Sequence, residues 1–120
     1  MIKGIGLDVI EIDRIKTLLN RKQKFAERIL TKEELDVFNK LDFKRKPEFL
    51  AGRFAAKEAL SKALGCGIGE EFSFQDASVL ANNRGKPSVH FVNPIPGNIH
   101  ISITHTTGVA VAQVIWEDES

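Results

Sequence analysis

The sequence predicts an α+β fold, with an N-terminal strand and helices followed by an antiparallel β meander. Three observations lead to this prediction. Apolar residues alternate near the amino terminus, recur at helical spacing up to residue 65, and alternate again from residue 72 onwards. The length of 120 residues fits a single domain, expected over residues 1–120, and no repeat of fixed period divides it.

Residues 2–10 are predicted to form the first strand, which has two unlike faces. The alternation separates three branched apolar residues from two glycines and an acid: Ile5, Leu7 and Val9 against Gly4, Gly6 and Asp8. The glycines leave room beside the backbone, either for a ligand or for close packing against a helix. Asp8 fits two roles, a site carboxylate or the cap of the helix that follows.

Three short helices are predicted between residues 11 and 40. The first carries acids in its first turn and buries one apolar stripe, formed by Ile12, Ile15, Leu18 and Leu19. Apolar spacing from Phe25 to Leu30 indicates a second, shorter helix. Thr31 and Glu34 stand at the spacing of a capping box, which predicts the start of a third helix.

The longest helix is predicted between Pro47 and Gly65. Proline fits the first turn, and glycine fits the left-handed residue that ends a helix. Ala51, Ala55 and Ala59 give this helix a thin side that permits close packing.

Beyond residue 69 the apolar pattern changes from helical to alternating. Four strands are predicted, over residues 72–80, 88–92, 99–105 and 109–116. A polar turn joins the first pair, and a Thr-Thr-Gly turn joins the second pair as a hairpin.

The net charge of +1 conceals an asymmetry between the halves of the chain. Residues 1–62 carry 15 basic and 10 acidic side chains, whereas residues 63–120 carry 2 and 6. Six basic residues accompany a single acid in one segment, namely Arg14, Lys16, Arg21, Lys22, Lys24 and Arg28. Such a segment is either a solvated surface or a docking site for an acidic protein or nucleotide.

Composition excludes several classes of protein. With 42% hydrophobic and 28% charged residues, the chain is neither disordered nor fibrous. The single cysteine, Cys66, excludes an internal disulfide framework and fits a reducing compartment, so we expect a cytoplasmic protein. Asp8 comes too early for a signal peptide, and the apolar stretch Val109–Trp116 is too short to span a membrane.

Candidate chemistry centres on two carboxylates and a lysine. Glu58 and Lys62 lie one helical turn apart, a spacing that also fits a surface salt bridge. Combined with Asp8, they suit Mg²⁺, which takes one or two protein carboxylates together with water and phosphate oxygens. His105 ends a strand at a position open to ligands. The sequence holds no Cys–His pair at zinc spacing.

Four motifs resemble one enzyme family. They are Gly6-Leu7-Asp8, the run from Phe54 to Lys62, Gly85-Lys86-Pro87, and Ser102-Ile103-Thr104-His105. In their order and spacing they resemble the short bacterial holo-acyl-carrier-protein synthases, the small 4′-phosphopantetheinyl transferases. The resemblance covers essentially the whole chain. At Thr104 the family often has serine, so the hydroxyl is retained.

The resemblance implies transfer of phosphopantetheine from coenzyme A to a serine of apo-acyl carrier protein, releasing adenosine 3′,5′-bisphosphate, in fatty acid biosynthesis. By match to the family motifs, Asp8 and Glu58 would hold Mg²⁺, and Lys62 would contact a phosphate. Coenzyme A would also be bound by Arg53, Gly85, Lys86, Pro87 and His105. The family forms homotrimers with active sites between neighbouring subunits.

Two questions of mechanism stay open in the sequence. Glu58, acting through an ordered water, and His105 are alternative acceptors of the serine proton. Carrier proteins of the kind this family modifies are strongly acidic, so the docking candidates are Arg14, Arg21, Lys22, Lys24 and Arg28. Arg14 is the foremost of these, because it lies on the polar side of the helix that follows Asp8.

Two other functions are alternatives to this one. A nucleic-acid-binding module is disfavoured, because no strand interleaves basic residues with exposed aromatic ones. A metal-dependent phosphoryl enzyme that transfers to water, such as a small nucleotidase, differs from the first prediction in its products.

Overall fold

A computed structural model describes residues 1–22 and 24–119. Within these residues the strands are β1 (Ile2–Glu11), β2 (Ala77–Ala81), β3 (Pro87–Phe91), β4 (Asn98–His105) and β5 (Val109–Glu117). The α-helices are α1 (Ile12–Arg21), α2 (Phe25–Ile29), α3 (Lys32–Lys40) and α4 (Lys46–Leu64). The predicted α+β class is confirmed.

The strands form two antiparallel sheets. One has the order β1-β5-β4, and the other is the β2-β3 hairpin, so the predicted meander is divided into two hairpins. The strand predicted over residues 72–80 begins only at Ala77. A 3-10 turn precedes it, because the Asp76 carboxylate accepts the N–H of Ser73 at 2.8 Å and the Ser73 hydroxyl accepts that of Gln75 at 3.3 Å.

The glycine face of β1 lies directly on α4. A Cβ atom added to Gly4 would collide with the carbonyl oxygen of Ala63, and one added to Gly6 would collide with that of Ala59. Close packing against a helix is therefore the role of this face, as one of the two sequence interpretations held. Glu11, rather than Asp8, occupies the N-cap position of α1.

The opposite face of β1 is exposed in the single chain. Ile5, Leu7 and Val9 retain 61%, 54% and 58% of their accessible surface. Branched apolar side chains at this exposure leave a contiguous apolar strip on the outer side of the sheet.

Helix α4 is the centre of the hydrophobic core. Its buried residues pack against both sheets and the other helices, and they include Leu50, Ala51, Ala55, Ala56, Ala59 and Leu60. The predicted helix ends are confirmed except at the start of α4, which begins at Lys46, one residue before the predicted first residue. Pro47 lies in the first turn of α4, Gly65 ends it at φ +84°, and Thr31 with Glu34 forms a capping box at the start of α3. None of the helices in the described part of the chain is both long and apolar enough to cross a membrane.

Candidate active site

Two carboxylates and a lysine meet where β1 crosses α4. The Lys62 ammonium lies 3.2 Å from a carboxylate oxygen of Asp8 and donates a hydrogen bond to the carbonyl of Leu7 at 3.0 Å. Glu58 lies one turn before Lys62 on the same helix. The glycines of β1 allow this approach, because they let the strand lie against the backbone of α4.

Electrostatics at this cluster favour a cation. Burial raises the pKa of the Glu58 carboxyl, the negative charge of Asp8 raises it further, and Lys62 opposes the shift. A bound cation would relieve the repulsion between the two carboxylates. No group of three or more His, Cys, Asp or Glu side chains suited to a metal occurs among the described residues. Mg²⁺ fits here, since it can take two carboxylates and complete its shell with water and phosphate oxygens.

Arg53 and His105, apart from this cluster, line a cavity of about 170 Å³ near the start of α4. The His105 Nε2 atom lies 3.9 Å from a carboxylate oxygen of Glu48, which sequence reasoning did not single out. The Arg53 guanidinium lies 4.3 Å above the ring of Phe49 and donates through Nε to the carbonyl of Val79 at 3.1 Å. Burial lowers the pKa of Arg53, and the charge of Glu34 opposes this.

The Gly85-Lys86-Pro87 turn lies at the far end of the strand that Arg53 contacts. The side chain of Asn82 closes the turn by accepting the N–H groups of Arg84 at 2.9 Å and Lys86 at 3.0 Å, and Gly85 has φ +80°. Pro87 pairs with Ala81. Ala81 and Arg53 together line a groove of about 580 Å³. Arg53 thus borders both this groove and the cavity that contains His105.

The predicted site residues therefore form two groups within one chain. Asp8, Glu58 and Lys62 form the first, and Arg53 and His105 form the second. The Gly85–Pro87 turn is linked to the second through Ala81, which pairs with Pro87 and lines the same groove as Arg53. Glu48, which contacts His105, precedes Glu58 by ten residues on α4, a distance of about 15 Å along the helix axis.

The basic residues of the predicted docking segment are all exposed. Arg14 lies on α1, which begins directly after the strand that carries Asp8. The segment continues to the end of α1 and through α2, with Arg21, Lys22, Lys24 and Arg28. None of these side chains forms an ion pair with a residue that the structure describes. Their charge is therefore available to a partner.

Sequence reasoning also missed a buried ion pair beside the site. Lys57 and Glu34 are fully buried, with their charged atoms 2.6 Å apart. The available signals were the capping-box position of Glu34 and the place of Lys57 on the most buried helix, one turn from the buried Leu60 and Ser61.

Comparison with known proteins identifies the family. The family model described as the 4′-phosphopantetheinyl transferase superfamily matches residues 4–114. The chain belongs to this superfamily. The resemblance drawn from the four motifs is thereby confirmed, and so is the enzyme class, a transferase.

Individual relatives of the superfamily match over nearly the full chain. The holo-[acyl-carrier-protein] synthase of Bacillus subtilis is 53% identical over 117 residues, which cover 98% of this chain and 97% of that protein. A crystal structure of the Bacillus anthracis synthase in complex with CoA (3′,5′-ADP) has a TM-score of 0.92 at 50% identity, covering 99% of each chain. The Helicobacter pylori synthase in complex with coenzyme A has a TM-score of 0.82 at 34% identity, covering 94% of this chain and 99% of that chain.

Proposed function

We propose that this chain is a holo-acyl-carrier-protein synthase. It transfers the 4′-phosphopantetheine arm of coenzyme A to a serine of apo-acyl carrier protein and releases adenosine 3′,5′-bisphosphate. The observation that carries the proposal is the meeting of Asp8, Glu58 and Lys62 at the contact of β1 with α4. Identity of about 50% over nearly the whole chain to synthases of this kind supports it.

Asp8 and Glu58 would hold Mg²⁺ against the pyrophosphate of coenzyme A. When bound, the ion offsets the negative charge that the phosphates bring to two carboxylates. Lys62 contributes a positive charge of its own. It donates to two acceptors among the described residues, which leaves one of its three N–H groups for a phosphate oxygen.

The second group of residues would bind the rest of coenzyme A. Arg53 presents a guanidinium held between an aromatic ring and a backbone carbonyl, so it meets a phosphate without first losing much side-chain freedom. Lys86 adds a positive charge on the turn between Gly85 and Pro87. His105 lies close enough to Arg53 to share a ligand within one cavity.

The reaction needs an acceptor for the serine proton as the hydroxyl attacks the β-phosphorus. Glu58 is our first candidate, acting through an ordered water molecule, because a carboxylate that holds Mg²⁺ is a poor base for direct proton transfer. His105 is the second candidate. Within one chain it lies at the other end of α4, so it would serve only a site formed with a neighbouring copy.

The active form is proposed to be a homotrimer with sites between its subunits. Two features of the single chain support this. The two groups of site residues lie far apart on α4, and the apolar strip of Ile5, Leu7 and Val9 is uncovered. A ring of three copies would cover such a strip and bring unlike groups together at each contact.

The proposed partner is acidic, and the reaction is placed in the cytoplasm, where it would serve fatty acid biosynthesis. The exposed basic side chains of α1 and α2 would steer apo-acyl carrier protein toward the serine-accepting site. Arg14 stands nearest in sequence to the strand that carries Asp8.

The deciding experiment incubates the chain with coenzyme A, Mg²⁺ and an apo-acyl carrier protein. Mass spectrometry should show one phosphopantetheine added per carrier, and chromatography should show an equal amount of adenosine 3′,5′-bisphosphate. Cleavage of coenzyme A without modification of the carrier would instead establish a nucleotidase. Salt-sensitive binding of nucleic acid with no turnover would establish a binding module.

A mixing experiment tests the shared site. Asp8→Asn and Arg53→Ala each impair a different group of residues, and each pure variant should be nearly inactive. After the two are mixed and reassembled, about a quarter of the sites in a random trimer combine an intact Asp8 with an intact Arg53. Recovery of activity supports a site built from two copies. The shared site is contradicted if light scattering shows a monomer under conditions in which the chain is fully active.

A further inference from the structure

A buried ion pair connects α3, α4 and the segment before β2. The Lys57 ammonium donates to the Glu34 carboxylate at 2.6 Å and to the carbonyls of Ile29 and Phe74, each at 2.8 Å. All three of its N–H groups therefore have partners. The same Glu34 oxygen also accepts the N–H of Thr31 at 2.8 Å.

The second carboxylate oxygen of Glu34 reaches a different element. It accepts the backbone N–H of Val79, in the middle of β2, at 2.7 Å. The carbonyl of the same residue accepts a hydrogen bond from Arg53 Nε at 3.1 Å. The backbone of Val79 therefore connects the two side chains: its N–H donates to Glu34, and its carbonyl accepts from Arg53.

Strand β2 pairs through its backbone with β3 in a two-stranded sheet, and its other edge faces α3 and α4. Ala77 and Val79 are buried there, and the Ser78 hydroxyl lies 2.6 Å from that of Thr31. The bond from Val79 to Glu34 is the backbone hydrogen bond that ties this edge to α3. A charged hydrogen bond to Val79 in a dry environment is a strong and directional anchor. By fixing Val79, this bond also fixes the acceptor that orients the guanidinium of Arg53.

Stability alone does not account for this ion pair. A buried pair is commonly no more stabilising than apolar side chains of similar volume, because both charges lose their hydration. We infer that Glu34, held in place by Lys57, is a positioning residue for coenzyme A binding that acts through Val79 on Arg53. The inference rests on the proposed role of Arg53 in binding coenzyme A.

Two double variants separate positioning from charge. Glu34→Gln with Lys57→Met removes both charges but keeps a side-chain carbonyl that can accept the N–H of Val79. Glu34→Met with Lys57→Met removes the charges and the acceptor together. Neither variant leaves an unpaired buried charge, so both should fold, which circular dichroism checks.

The measurement is the Kd of coenzyme A by titration calorimetry, with kcat and the KM of the carrier protein. We expect the Met/Met variant to bind coenzyme A at least ~5-fold more weakly, as loss of one oriented hydrogen bond would produce. The Gln/Met variant should stay within ~2-fold of the parent. In both, kcat and the KM for the carrier should change little, because Asp8, Glu58 and Arg14 are untouched.

Gln75→Ala provides a matched structural control. The Gln75 amide donates to the carbonyls of Glu27, Arg28 and Leu30 at 2.9 to 3.3 Å, so its loss also loosens this side of the core. It has no link to Val79 or Arg53 in these contacts. The Kd of the Gln75→Ala variant for coenzyme A should therefore be unchanged. If this variant binds coenzyme A as weakly as the Met/Met variant does, the weakening comes from a general loosening of the structure.

A double-mutant cycle with Arg53→Ala separates the role of Glu34 from that of Arg53. In that background the Met/Met substitutions should weaken coenzyme A binding no further, because the group they act through is gone. If the Met/Met substitutions weaken coenzyme A binding by the same factor in the Arg53→Ala background, the positioning role is wrong. It is also wrong if the Met/Met substitutions leave the Kd unchanged when Arg53 is intact. If Arg53→Ala alone leaves the Kd unchanged, the proposed function of Arg53 fails, and the inference fails with it.

Discussion

Helix α4 carries two lysines, five residues apart, that each pair with a carboxylate from another element, and the two pairs have opposite surroundings. Lys57 and Glu34 have no exposed side-chain surface, and their charged atoms lie 2.6 Å apart. Lys62 is about half exposed, with 51% of its side-chain surface accessible, and lies 3.2 Å from Asp8.

The difference separates a pair whose donors are all used within the protein from a pair that can still bind a ligand. The buried ammonium has used all its donors on the protein, so it cannot bind a substrate. The open ammonium keeps a donor, and its partner Asp8 shares its neighbourhood with a second carboxylate, Glu58. Two lysines five residues apart on one helix thus differ in what they can bind, because they differ in burial and in the number of N–H groups already used.

Removing the buried lysine should have the largest effect. Lys57→Met leaves the carboxylate of Glu34 buried without its counter-charge, so the free energy of unfolding should fall by about 3–5 kcal/mol. Urea denaturation of the parent and the variant measures this. If the free energy of unfolding falls by less than about 1 kcal/mol, the core tolerates the lone carboxylate of Glu34. The Lys57 and Lys62 pairs would then not differ in their contribution to stability.

Neutralising either carboxylate of the open cluster should affect turnover rather than folding. Asp8→Asn or Glu58→Gln should lower kcat at least ~10²-fold, because each weakens charge stabilisation at the transferred phosphoryl group. Steady-state rates at saturating Mg²⁺ test this, with circular dichroism as the check on folding. Near-normal rates in both variants would remove these carboxylates from the site.

Reversing charge on α1 tests whether the open side receives an acidic partner. Arg14→Glu with Arg21→Glu should raise the KM for apo-carrier protein at least ~10-fold, because repulsion replaces attraction. The KM for coenzyme A should stay within ~2-fold, since neither residue lies in its proposed binding group. For the parent chain, the KM of the carrier should increase with ionic strength.

The opposite result would reassign these arginines. If the double variant loses affinity for coenzyme A and keeps its affinity for the carrier, Arg14 and Arg21 belong to the nucleotide pocket. Varying each substrate separately at saturation of the other distinguishes the two outcomes.

The smallest effect on stability should come from the open lysine. Lys62→Met breaks an ion pair that water already screens, so the free energy of unfolding should change by less than about 1 kcal/mol. The same urea denaturation used for Lys57→Met measures it. A loss as large as that of Lys57→Met would make the open pair structural as well.

Local sequence signals were sufficient for much of the fold and for the open cluster. The capping box of Thr31 and Glu34 and the terminator Gly65 are decided by neighbouring residues, so the helix ends were predictable. The spacing of Glu58 and Lys62 places them on one side of a helix. Asp8, on the glycine face of the first strand, was the second carboxylate, and the family motifs support the same three residues.

Features that depend on distant contacts were not predictable in the same way. Glu34 satisfies a capping box with one oxygen, yet its second oxygen bonds to β2, 45 residues later. Lys57 is buried only because α2, α3 and the 3-10 turn all pack around it. The meander is split because β3 and β4 do not pair with each other in the described part of the chain, which strand propensity does not specify.

The uncovered strip on β1 affects how stability should be measured. If a second copy of the chain covers Ile5, Leu7 and Val9, the free energy of that contact adds to the free energy of folding by mass action. The melting temperature would then rise with protein concentration, and dilution would weaken the fold along with the assembly. A comparison of variants is therefore meaningful only at one matched concentration.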